Sequence, residues 1–165
     1  MIEQKKLVLL DAYALIFRAY YALIRSPRYT SQGLNTSAMF GFVNTLQDLL
    51  KREAPSHIAI CFDPKGGTFR HEMYAEYKAG REETPEDIRL AVPYIKRIAE
   101  AYNIAVLEVP GFEADDVIGT LSRLASDRGF LTYMVTADKD FGQLVNENVK
   151  IYRPHSGGGY DIMGE

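Results

Sequence analysis

Short apolar runs that stop at an acid recur along the chain. Residues 6–10 (K-L-V-L-L) run into Asp11, and residues 57–62 (H-I-A-I-C-F) run into Asp63. Residues 104–109 (I-A-V-L-E-V) end at Pro110-Gly111, and residues 130–136 (F-L-T-Y-M-V-T) end at Ala137-Asp138. None alternates cleanly between apolar and polar positions, which is the pattern of strands buried on both faces in a parallel sheet. Helical periods lie between them. Residues 13–23 are apolar nearly all round, which predicts a well-buried helix. Residues 37–51 carry Phe40, Val43, Leu46, Leu49 and Leu50 at helical spacing. Thr84-Pro85-Glu86-Asp87 reads as a helix start, with Thr84 as N-cap and Pro85 at the first helical position. That helix runs to about Tyr102, with Pro93 as a kink or local break. Residues 113–128 are amphipathic and stop at Gly129. A fifth strand at 149–152 is followed by a Ser156-Gly157-Gly158-Gly159 turn and an extended piece at 160–163. Strands alternating with helices predict an α/β fold, one domain with a mostly parallel central sheet flanked by helices.

Composition narrows the chemistry. The chain of 165 residues is long enough for one core, and 47% hydrophobic with 25% charged residues excludes a disordered segment. Cys61 stands alone, which excludes an intrachain disulfide framework and a cysteine-rich zinc site. His57, His71 and His155 are scattered and form no metal-binding spacing. No apolar run approaches the roughly 18 residues a membrane span needs, and the N-terminal run reaches Asp11 too soon for a signal peptide. A reduced, cytoplasmic protein that does not engage membranes is expected.

The acids carry the strongest signal. Ligand sites in open α/β sheets lie beyond the carboxyl ends of the strands. The first two strands deliver Asp11 and Asp63, the third leads into Glu113-Ala114-Asp115-Asp116, and the fourth into Asp138-Lys139-Asp140. A single aspartate after a strand is most often a helix N-cap, and acids in a first turn complement the helix dipole. Four such ends together go beyond that, because crowded like charges raise one another's pKa unless cations neutralise them. Oxygen-only donors favour hard divalent cations, Mg²⁺ or Mn²⁺. Two such ions about 4 Å apart serve phosphodiester hydrolysis. The formal net charge is −3, but setting these seven acids aside leaves 15 acids against 19 Lys and Arg. The body is therefore mildly basic (+4), which suits a polyanionic substrate.

Directly after Asp63, residues 64–81 interleave Lys65, Arg70, Lys78 and Arg81 with Phe69, Tyr74 and Tyr77. Bases stack on aromatic rings while cations hold phosphates, so the stretch reads as a single-strand contact surface; an amphipathic helix with its tyrosines on the core is the plainer alternative. Lys78 and Arg81, three apart, fit one helix face and one phosphate. Pro64-Lys65-Gly66-Gly67 lacks the ending of a phosphate-cradling P-loop.

The blocks L-L-D-A-Y at 9–13, C-F-D at 61–63, F-R-H-E-M-Y-A-E-Y-K-A-G-R at 69–81, T-P-E-D at 84–87, V-P-G-F-E-A-D-D at 109–116 and T-A-D-K-D-F at 136–141 closely resemble the flap endonuclease family. The likeness is to the 5′-nuclease domains found at the N-terminus of bacterial DNA polymerase I, and it runs from about Lys6 to the end. It implies a PIN-like, resolvase-like three-layer fold, and removal of 5′ flaps and RNA primers with two Mg²⁺ or Mn²⁺ ions. DNA with a 5′ flap, nick or branch and RNA–DNA primer junctions would be the partners, and the protein a nucleoid-associated monomer. Carried over by position, Asp11, Asp63, Glu113, Asp115, Asp116, Asp138 and Asp140 are the metal-site acids. Lys78 and Arg81 contact the scissile phosphate, and residues of about 64–84 form part of an arch around the 5′ strand, with Tyr77 a base-stacking candidate. The family's domains continue into a helix–hairpin–helix element that supplies two more metal-site aspartates. Neither that element nor a polymerase domain is in this sequence, so a fragment of weak or no activity of its own is expected.

Other classes fit less well. A two-aspartate phosphotransferase needs a second aspartate where Tyr13 stands, and a dinucleotide-binding domain needs a glycine-rich turn that residues 11–16 do not offer. A fragment that binds metal or DNA without catalysis, and a PIN-like ribonuclease, stay open as alternatives.

Overall fold

The computed structural model describes residues 3–65, 73, 84–155 and 159–164. Its strands are β1 (Lys6–Asp11), β2 (His57–Phe62), β3 (Ala105–Glu108), β4 (Leu131–Val135), β5 (Val149–Pro154) and β6 (Tyr160–Met163). The helices are α1 (Ala12–Ala22), α2 (Ser37–Glu53), α3 (Glu86–Ala101) and α4 (Ala114–Asp127), with a 3₁₀ helix at Lys139–Leu144. The six strands form one sheet in the order β3-β2-β1-β4-β5-β6. The first five are parallel, and β6 pairs antiparallel with β5 at the edge. The expected α/β architecture is therefore present.

The run-like apolar pattern has a direct cause. On β1, Val8 and Leu10 pack into the cluster shared with α1, α2 and α3, while Leu9 faces the opposite cluster with Ala114 and Ile118 of α4. Ile60 and Phe62 divide from Cys61 on β2 in the same way. With both faces covered, each position is apolar and alternation disappears. α1 and α2 cross closely at Gly41, where an added Cβ would stand 2.6 Å from the Cβ of Ala19.

Four expectations change in detail. On α2 the buried stripe is Ala38, Phe42, Leu46 and Leu49, whereas Phe40 is 42% exposed under the guanidinium of Arg28. α1 is not buried all round: Leu15, Ile16 and Ala19 face the core, while Tyr21 is exposed and Tyr13, Phe17 and Tyr20 are half-buried. At α3 the N-cap position falls on Pro85 and not Thr84, whose carbonyl instead accepts a hydrogen bond from Arg89 Nε at 3.1 Å. Pro93 does not break α3, which continues to Ala101 around it.

Candidate active site

Strand order reverses between β1 and β4, since the chain winds outward through β2 and β3 and then returns to the other side of β1. Such a switch point opens a crevice at the carboxyl ends of the strands. Here it is a cleft of about 1350 Å³. Asp11, Asp63, Glu113, Asp115, Asp138 and Asp140 all line it. Each lies at or just beyond a strand's carboxyl end, and Asp11, Glu113 and Asp138 stand at the starts of helical turns, whose backbone N–H groups orient several of the acids. Asp63 Oδ1 accepts a 2.7 Å hydrogen bond from the backbone N–H of Ala114, the first residue of α4. Asp138 Oδ1 accepts from the Asp140 N–H at 2.9 Å and opens the 3₁₀ helix. Orphan N–H groups at helix starts thus fix carboxylates in place.

Asp11 differs from the others. It occupies the N-cap position of α1, is only 7% exposed, and accepts a 2.9 Å hydrogen bond from the hydroxyl of Thr136. Burial is the main cause that pushes its pKa up to about 7 from an ordinary 3.8. The Thr136 hydrogen bond pulls it down, and the charges of Asp115 and Asp63 push it up further. Asp116 has a separate place. Its Oδ2 accepts from the Glu113 N–H at 3.0 Å across the first turn of α4, and it is not among the residues lining the cleft.

Facing the acids is a wall of which sequence reasoning picked out Lys65 alone as a contact residue. Arg89, Val92, Pro93 and Lys96 recur on one face of α3 and line the cleft, with Thr84 just before the helix and Lys65 just after Asp63. Lys96 pairs with Glu108 of β3 at 3.0 Å and lies 4.9 Å from the ring centroid of Phe62. Tyr13 and Phe17 of α1 add an aromatic side. The seven-residue interval from Arg89 to Lys96 was the available signal, as was the four-residue interval from Tyr13 to Phe17. Phe69, Arg70, Tyr74, Tyr77, Lys78 and Arg81 lie outside the described residues, as does most of segment 64–84.

The donor set suits a hard cation. It is made of oxygen alone, and the Asp11 carboxyl, raised first by burial and then by two neighbouring charges, is one that a divalent ion would relieve. Among the described residues, no three His, Cys, Asp or Glu side chains already stand together in a grip on one ion. The six acids line the cleft from four strand ends.

Fold and cleft define a resolvase-like α/β domain with an acidic crevice at its switch point. Residues 6–164 match the model of the 5′-3′ exonuclease, N-terminal resolvase-like domain, and the chain belongs to that family. It is 46% identical over 153 residues to DNA polymerase I of Chloroflexus aurantiacus and 44% identical over 151 residues to that of Mycobacterium bovis. These matches cover 93% and 92% of this chain but only 16% and 17% of the relatives. A 5′-3′ exonuclease of Aquifex aeolicus is 39% identical over 150 residues, 91% of this chain and 51% of that protein. The chain thus spans about a sixth of the polymerases and half of the exonuclease. Among solved structures, T5 5′-exonuclease with bound divalent metal ions (zinc) superposes with TM-score 0.68 at 19% identity, covering 95% of this chain and 58% of that one. The catalytic core of Rad2 in complex with DNA substrate gives 0.52 at 17% identity, covering 98% and 48%. Both share the fold.

Proposed function

We propose that this chain is the metal-site core of a 5′-3′ exonuclease and flap endonuclease, hydrolysing phosphodiester bonds of DNA and of RNA primers in replication and repair. One observation carries the reading: six carboxylates from four strand ends line a single cleft in a chain of the 5′-3′ exonuclease family. Asp11, Asp63, Glu113, Asp115, Asp138 and Asp140 would hold Mg²⁺ or Mn²⁺, two ions in the complete domain, some through water. Asp116 contributes by fixing the α4 turn that presents Asp115. When bound, the ions supply a water of lowered pKa and neutralise charge on the scissile phosphate. The residues of the chain do the positioning. Thr136 holds Asp11, the Ala114 N–H holds Asp63, and the wall of Lys65, Arg89 and Lys96 keeps a phosphate backbone against the acids. The zinc in T5 5′-exonuclease and the DNA in Rad2 support metal and DNA as ligands of this fold. Roles for Phe69, Arg70, Tyr74, Tyr77, Lys78 and Arg81 along the 5′ strand, with segment 64–84 as part of an arch, belong to the same proposal. So do Mg²⁺ or Mn²⁺ as the physiological ion, 5′-flap, nicked and primer-junction substrates, and a nucleoid-associated cytoplasmic monomer. The rest of the nuclease and the polymerase would lie in other parts of a longer protein of the relatives' kind.

The test is single-turnover cleavage of a 5′-flap oligonucleotide in Mn²⁺. Slow, EDTA-sensitive cleavage near the flap junction that disappears in Asp63→Asn is expected. Cleavage that survives EDTA or the substitution contradicts the proposal. Metal binding with no cleavage favours the alternative of a binding module.

A further inference from the structure

The connector between α1 and α2 folds into a small hairpin. Tyr29 and Asn35 form an antiparallel bridge, and the turn closes through Gly33 N–H to the Thr30 carbonyl at 3.0 Å, with Gly33 at φ +87°. Its base is fastened by the Thr36 N–H on the Arg28 carbonyl at 2.7 Å and the Arg28 N–H on Ser37 Oγ at 2.9 Å. Asn35 sits at this base and is 6% exposed. Its Oδ1 accepts from the Ser37 N–H at 3.0 Å, which fixes the amide plane and aims its Nδ2 outward from the hairpin. That group donates to Asp87 Oδ2 at 3.3 Å, across 52 residues of sequence. The Tyr20 hydroxyl reaches the same oxygen more loosely, at 3.5 Å.

Asp87 lies in the first turn of α3, where the N–H groups of Ile88 and Arg89 both bond to the Pro85 carbonyl at 3.1 Å. A carboxylate there suits the helix dipole by itself. The dipole does not account for a buried amide brought from a distant hairpin to meet it. A buried amide donor is costly when unpaired, so the hairpin and the helix start are held in one relative position. Thr84 and Arg89, on either side of Asp87, line the cleft.

We propose that the Asn35–Asp87 pair is a positioning joint that sets the first turn of α3 against the α1–α2 hairpin and so aligns the Thr84–Arg89 wall with a nucleic-acid strand in the cleft. The alignment of a strand rests on the nuclease reading, whereas the joint itself does not.

The experiment compares the wild-type chain with Asn35→Asp, Asp87→Asn and the double variant that exchanges the two groups. It reads amide hydrogen exchange in EDTA and the affinity for a short 5′-phosphorylated oligothymidine. Asn35→Asp opposes two carboxylates. It is expected to speed exchange at Ile88 and Arg89 about tenfold, leaving Leu9 and Met134 unchanged, and to weaken oligonucleotide binding severalfold. In the double variant the new amide at position 87 donates to the new carboxylate at position 35, so both readouts return toward wild type. The joint is overturned if exchange at Ile88 and Arg89 does not change in Asn35→Asp, if all amides speed up together, or if the exchange of groups restores nothing. Faster local exchange with unchanged affinity overturns the positioning role. Local exchange as expected in a chain that binds no oligonucleotide keeps the joint and counts against the nuclease reading.

Discussion

Asp11 shows at the scale of one residue how a site is built against the stability of its own fold. Its folded pKa of about 7 lies above the ordinary 3.8, so between those values the folded chain holds the proton more tightly than the unfolded one. The stability tied to that proton is complete below about pH 4 and is lost as pH rises through about 7. By the usual conversion the ceiling on this cost is about 4 kcal/mol. Asp11→Asn removes the charge, so it should stabilise the metal-free chain at pH 8 by about 2 kcal/mol, with the gain vanishing toward pH 4. Urea unfolding in EDTA at the two pH values checks this, and equal gains at both would contradict it. Asp115 and Asp116, adjacent in sequence, divide differently. Asp116→Ala should lose about 1 kcal/mol of stability in the same unfolding assay, with the loss of its hydrogen bond from the Glu113 N–H. The sequence shows two adjacent acids of equal standing, and only the turn of α4 decides which faces the cleft. Thr136 was illegible for a similar reason: its bond to Asp11 spans 125 residues.

Elements were legible where a local rule governs them. Strands covered on both faces read as apolar runs, and Asp11 and Asp63 mark where those runs end. Positions set by contact between elements were not legible. Phe40 and Phe42 both suit an amphipathic helix, and the approach of α1 at Gly41 decides that Phe42 is the buried one. Gly41→Ala should cost roughly 1–3 kcal/mol, because its Cβ meets both Cβ and Cα of Ala19 and one helix must move. An undiminished urea midpoint would show that the crossing is not tight. The C-cap of α2 is a different case: Ala54 sits in the left-handed region at φ 41°, ψ 55°. Ala54→Gly relieves that strain at some cost in unfolded-chain entropy, for a net gain of about 0.5 kcal/mol in the same assay. On α3, the cleft-lining cations were hidden because a lysine or arginine on a helix reads as solvated until the opposite wall is known.

At the scale of the whole molecule, the order of the strands does the assembling. The chain winds from β1 out to β3 and back to β4, and every strand from β1 to β4 ends on the same rim. Acids more than a hundred residues apart thereby share one cleft, faced by Lys65, Arg89 and Lys96. No described helix is long and apolar enough to cross a membrane. The acids line one cleft, and cation binding is the property on which their proposed chemistry depends. Calorimetric titration of Mn²⁺ into the wild-type chain and into the Asp63→Asn/Asp115→Asn variant measures it directly, with Asp48→Asn, an acid paired with Arg52 on α2, as the control. Saturable binding is expected in the wild type and the control, weakened at least about tenfold in the double variant. Equal binding in all three chains, or no binding to the wild type, would contradict the proposed metal site.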